Sequence, residues 1–160
     1  MHEKEDTHMA DRDDITTLNT LTNTLIDSVT GFEDAASNLE GNERLRELFR
    51  ERASERQQVV EDLRSEVRRL GGNPEDDGSF LGKTHQRFLD LKAAITGRDE
   101  KAIINEVERG EDYLTEKFET ALNSDHLSGE SRAVVERAYQ SVRSGHDQIS
   151  QLKHGLETSA

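Results

Sequence analysis

Apolar side chains in this chain return every three or four residues, a spacing that confines them to one stripe of an amphipathic helix. Leu18, Leu21, Leu25, Val29, Phe32, Ala36 and Leu39 form the first stripe, and Leu45, Leu48, Phe49, Val59, Val60, Leu63, Val67 and Leu70 the second. Ile103, Ile104, Val107, Leu114, Phe118, Ala121 and Leu122 form a third, and Val134, Val135, Ala138, Val142, Ile149 and Leu152 a fourth. No segment alternates with the two-residue period of a strand. Asp13 or Asp14 and Asn42 are candidate N-caps, and Gly41 and the Gly71-Gly72 pair are candidate stops. The pattern predicts helices over 15–40, 43–70, 99–123 and 130–154, with a short helix over 80–96.

The composition predicts what can hold such helices together. In 160 residues with 31% hydrophobic and 4% aromatic side chains, a single domain with a lean aliphatic core is expected. The chain has no Cys, so thiol nucleophiles, disulfides and zinc-thiolate sites are excluded, and any chemistry would rest on carboxylates, His or hydroxyls. A net charge of -13 argues against nucleic acid, which is bound through clustered Lys and Arg. Residues 1–14 are charged and without period, and read as a disordered tail rather than a signal peptide. No apolar run reaches the roughly 18 residues that a membrane span needs. A cytoplasmic protein without membrane contact is expected.

A two-residue break between the first two helices implies an antiparallel hairpin, and the loop SDHLSG joins the last two in the same way. About 25 residues separate the hairpins, enough to travel the bundle's length of roughly 35 to 40 Å, at 1.5 Å per helical residue. An all-α four-helix bundle over 15–156 with one long crossover, 71–98, accounts for those residues, and this topology is the ferritin-like one.

That topology raises a di-metal carboxylate site, which takes Glu from two helices and Glu-x-x-His from the other two. Here Glu55 is followed by Gln58 where His should stand, and His146 is preceded by Arg143 where Glu should stand. The helical wheel instead turns Arg52 and Arg56 inward, with Glu111, His146, Tyr139 and, at a stripe's flank, Glu33 at similar heights. Such charges must pair. The expected arrangement is a structural ion-pair layer of Arg52, Arg56, Glu33, Glu111, His146 and Tyr139, with no cofactor. Its rival is an iron or manganese site on Glu108, Glu111 and His146.

The segments GFEDAA, RLGGNPEDDGS, ITGRDEKAI, VERGEDYLTEKFETAL and HDQISQL, taken together, resemble bacterial four-helix-bundle proteins of unknown function in the ferritin-like superfamily. The resemblance spans roughly 15–153 and implies the single-crossover bundle and a non-secreted bacterial protein. It implies no established activity. An association with stress conditions would suit such a protein, although no residue here carries it. The expectation is a non-catalytic monomer or dimer whose partner is a second copy or another helical protein.

Overall fold

The four apolar stripes become four helices in a computed structural model that describes residues 2–39, 41–74, 100–127 and 129–158. They are α1 (His2–Asn38), α2 (Glu43–Arg69), α3 (Glu100–Leu122) and α4 (Gly129–Thr158). Among the described residues there is no strand. The crossover expected over 71–98, with its short helix over 80–96, lies outside the described residues except for its first few, 71–74.

The largest boundary difference from the sequence expectation is at the start of α1. Residues 2–14 were expected to be disordered, yet α1 begins at His2, so Asp13 and Asp14 sit inside the helix rather than capping it. The segment holds neither Gly nor Pro. Once the downstream stripe has nucleated a helix, each further residue is added at little cost even without an apolar face.

The ends of α2 are fixed locally. Asn42 accepts a hydrogen bond from the Leu45 amide at 3.1 Å, satisfying a donor that the first turn leaves without a partner. At the other end Gly71, at φ +85°, lets its own amide reach the Arg68 carbonyl while Gly72 reaches Val67, closing a Schellman turn.

Packing contacts run between α1 and α2, α3 and α4, α2 and α4, and α1 and α3, which puts α2 and α3 on one diagonal. Between α1 and α2, Arg46 donates to the Ala36 carbonyl, Gln57 to Glu33, and Asn19 to the Asn73 carbonyl. Between α3 and α4 the pairs are Glu108 with Lys153, Asp112 with His146 and Glu119 with Tyr139. Asn42 Nδ2 donates to Glu100 at 3.1 Å, so α3 starts beside the α1–α2 turn. Thr17 meets His126 and Ser131 donates to Glu66, so the α3–α4 turn lies at the opposite end, where α2 stops.

The core is divided. Leu18, Leu21, Leu25, Val59, Val60, Leu63, Leu114, Phe118, Leu127, Val135 and Val142 belong to one apolar cluster. Val29, Phe32, Leu39, Leu45, Phe49, Ala53, Ile103, Ile104, Val107 and Ile149 belong to a second. What separates them is polar.

Candidate functional site: a polar layer across the bundle

Each helix contributes one residue to the cross-section between the two clusters. Ser28 lies between Leu25 and Val29, Arg56 between Ala53 and Val59, Glu111 between Val107 and Leu114, and Gly145 between Val142 and Ile149. The side chains of Arg56 and Glu111 are 1% and 2% exposed. They meet along the α2–α3 diagonal as a two-pronged pair: Arg56 Nη1 donates to Glu111 Oε2 at 2.8 Å and Nη2 to Oε1 at 2.5 Å. Nη1 also donates to Ser28 Oγ at 2.8 Å, and Nη2 approaches the Val142 carbonyl at 3.5 Å. The guanidinium carbon lies 5.5 Å from the centre of the Phe32 ring, a favourable cation–π distance. Both carboxylate oxygens are thus engaged by one cation, and that cation touches α1, α3 and α4 from α2.

Gly145 is part of the same arrangement. A Cβ at that position would stand 2.6 Å from Arg56 Nη2 and 3.6 Å from Arg52 Cδ. The guanidinium is pinned by Glu111 and Ser28, so it cannot swing away freely. Interior glycine costs a helix about 1 kcal/mol relative to Ala. Here that cost makes room for the ion pair.

The other residues expected in the layer lie outside it. Arg52 is half-buried at the α2–α4 seam, and its Nη2 reaches Glu55 Oε2 at 2.8 Å. Glu33 is exposed and accepts from Gln57 Nε2 at 3.2 Å, so it does not meet Arg52 or enter the core. It lies one residue beyond Phe32, about 100° round the helix and too far from the stripe's centre. Tyr139 stacks on Phe118 with ring centres 6.4 Å apart, within the cluster that includes Leu127, and its hydroxyl donates to Glu119. Neither Glu55 nor Gln58 points to the middle: Glu55 takes a hydrogen bond from Ser141, and Gln58 bonds Asp62 on the surface.

Glu108, Glu111 and His146 are held apart by different partners. Glu108 accepts from Lys153 Nζ at 2.8 Å and Ser150 Oγ at 3.2 Å. His146 Nε2 meets Asp112 Oδ1 at 2.5 Å at the rim of the layer, with Asp147 3.4 Å from Nδ1. Among the described residues no three His, Asp or Glu side chains gather as ligands of one ion. A cation at Glu111 would have to displace the guanidinium. Glu108, Glu111 and His146, the set of the rival iron or manganese site, thus each hold other partners here.

Sequence reasoning missed Ser28, Asp112 and Gly145. Ser28 and Gly145 carry no charge to attract notice, but a glycine in mid-helix beside an inward histidine was a usable signal. Asp112 is exposed, yet its side chain still reaches His146 from the rim.

Burial draws the His146 imidazole down, but the hydrogen bonds to Asp112 and Asp147 and the charges of Asp112 and Glu111 outweigh it and leave the pKa above its ordinary 6.5. A raised folded value means that the contribution is complete below about pH 6.5 and is lost as pH rises through the folded value. A groove near the α1–α2 turn, about 630 Å³, is floored by Leu45, Leu48, Ile104 and Leu152. None of its lining side chains carries a buried atom lacking a hydrogen bond.

Three outcomes are expected from urea unfolding. Arg56→Met strands a buried carboxylate and should cost about 3–5 kcal/mol, while adding Glu111→Leu recovers most of the loss; additive losses would contradict the pair. Gly145→Ala, which helix propensity alone would make stabilising by about 1 kcal/mol, should instead destabilise by about 1–3 kcal/mol through the clash. The stability lost in His146→Gln should be largest at pH 6 and fade by pH 9, and a pH-independent loss would remove the charged contact with Asp112.

No curated protein matches the chain. The family model described as "Domain of unknown function (DUF2383)" matches residues 13–124, a stretch that takes in Ser28, Arg56 and Glu111 and stops short of α4 with its Gly145 and His146. With a match over more than half its length, the chain belongs to the DUF2383 family.

Proposed function

We propose that this is a non-catalytic, ferritin-like bundle protein of two antiparallel helical hairpins, in which a guanidinium–carboxylate layer stands where a metallated bundle would hold its ions. The observation that carries the reading is the engagement of both Glu111 oxygens by Arg56 at 2.8 and 2.5 Å. An inward carboxylate that could ligate a metal is already neutralised by a cation that cannot be deprotonated. The bacterial, stress-associated and cytoplasmic setting rests on the sequence resemblance and composition alone. In this reading the protein acts by association, with a second copy or another helical protein, rather than by turnover.

Protein purified without chelator should carry far less than one iron or manganese per chain, and its melting temperature should not move on adding either ion. Stoichiometric metal that disappears in Glu111→Ala would overturn the reading in favour of a metal-binding bundle on Glu108, Glu111 and His146. Sedimentation at micromolar concentration, where a monomer or dimer is expected, would expose a cage-like assembly at once.

A further inference from the structure

At the end of the bundle opposite Asn42, a second buried acid lacks what Glu111 has. Asp14 is only 5% exposed, and its Oδ1 is buried without a hydrogen-bond partner. One turn further along α1, Thr17 Oγ1 meets His126 Nε2 at 2.9 Å, and the other ring nitrogen faces Ser124 Oγ. His126 belongs to the turn between α3 and α4, whose next residue, Leu127, is buried in the apolar cluster. The turn is also braced by Arg132, which donates to the Ser124 and Leu127 carbonyls. This corner thus holds α1, α3 and α4 together.

The charges around Asp14 are mostly of its own sign. Asp11 and Asp13 act on it from α1 and Glu66 from α2, whereas His126 from the turn acts in the opposite sense. Arg69 is already committed, giving two 2.7 Å hydrogen bonds to Glu66 and a 3.2 Å contact to Glu130 of α4. Glu66, itself buried, further accepts from Ser131 at 2.7 Å. Two buried acids therefore share this end of the bundle, and the arginine serves one of them.

We propose that Asp14 is a proton-operated latch: its protonation in acid tightens the docking of the α3–α4 turn on α1, and its ionisation slackens it. A proton on the carboxyl removes a buried charge that no donor stabilises at Oδ1. The folded corner therefore holds a carboxyl proton that the unfolded chain would release more readily.

Electrostatics agree in direction. Burial raises the Asp14 carboxyl above its ordinary 3.8; His126 opposes this, and Asp11, Asp13 and Glu66 add to it. The resulting stabilisation is complete below the ordinary value and is lost as pH rises through the raised one. At neutral pH ionised Asp14 is a net cost.

The test compares the full wild-type chain with Asp14→Asn. The variant, a mimic of the protonated acid, should melt about 2–4 °C above wild type at pH 8, with the gap closing as pH falls below the ordinary 3.8. Amide exchange at Leu127, corrected for intrinsic rate, should slow severalfold from pH 8 to pH 4 in wild type and hold steady in the variant. A carboxyl midpoint for Asp14 at or below 3.8 by carbon NMR, a melting gap independent of pH, or exchange at Leu127 equally fast at both pH values would each overturn the latch.

Discussion

The Arg56–Glu111 pair is the constraint around which the bundle is arranged. Two opposite charges buried among aliphatic side chains are tolerable only when each satisfies the other, and breaking such a pair costs far more than replacing both partners together. Because the pair bridges the diagonal, the heights of α2 and α3 cannot change independently without separating guanidinium and carboxylate. Ser28 and Gly145 follow from the same demand: one supplies an acceptor to the Nη1 group, and the other withholds the Cβ that Nη2 would strike. Leu, Ile and Val stripes alone allow neighbouring helices to slip by a turn at modest cost. The layer makes one register preferable to the others.

That register is supported at both ends by smaller polar contacts that tie different helices together. Asn42 caps α2 and, through its other side-chain atom, holds Glu100 at the start of α3. At the far end Glu66 joins Arg69 on its own helix to Ser131 on α4. Hydrogen bonds from Arg69 draw the Glu66 carboxyl below its ordinary range, against the effect of its burial. Stability from Glu66 is therefore present above the ordinary carboxylate range and is lost only as pH falls through the lowered value. Glu66 and Asp14 thus respond to acid in opposite directions within one corner, because the arginine sits beside one acid and not beside the other.

How much of this could be read beforehand depended on side-chain length. The four stripes were legible because an apolar period leaves a helix little choice of face, and Arg56 and Glu111 were legible because they interrupt those stripes near their centres. Arg52 shares that face by its Cβ, yet its long stem carries the guanidinium sideways to Glu55 at the seam, a freedom the helical wheel does not represent. Tyr139 similarly sends its ring to Phe118 and its hydroxyl to the rim. The helical start of α1 was hidden for a different reason: residues 2–14 carry no stripe, and their helicity is inherited from the segment that follows. Tertiary effects of this kind, like the neighbour that makes Gly145 necessary, leave no period in the sequence.

Among these buried acids, Glu111 has a dedicated arginine and Glu66 an arginine and a serine, whereas Asp14 retains an oxygen with no partner. A bundle that needed only stability could place Asn or an aliphatic residue at that position without disturbing the pair at the centre. Keeping a carboxylate there makes the docking of the α3–α4 turn depend on proton concentration, while the central layer, shielded between two apolar clusters, keeps the four helices in register. The position of the two acids thus separates a fixed part of the molecule from an adjustable one: the charge that is matched holds the fold, and the charge that is not matched makes one end of it responsive.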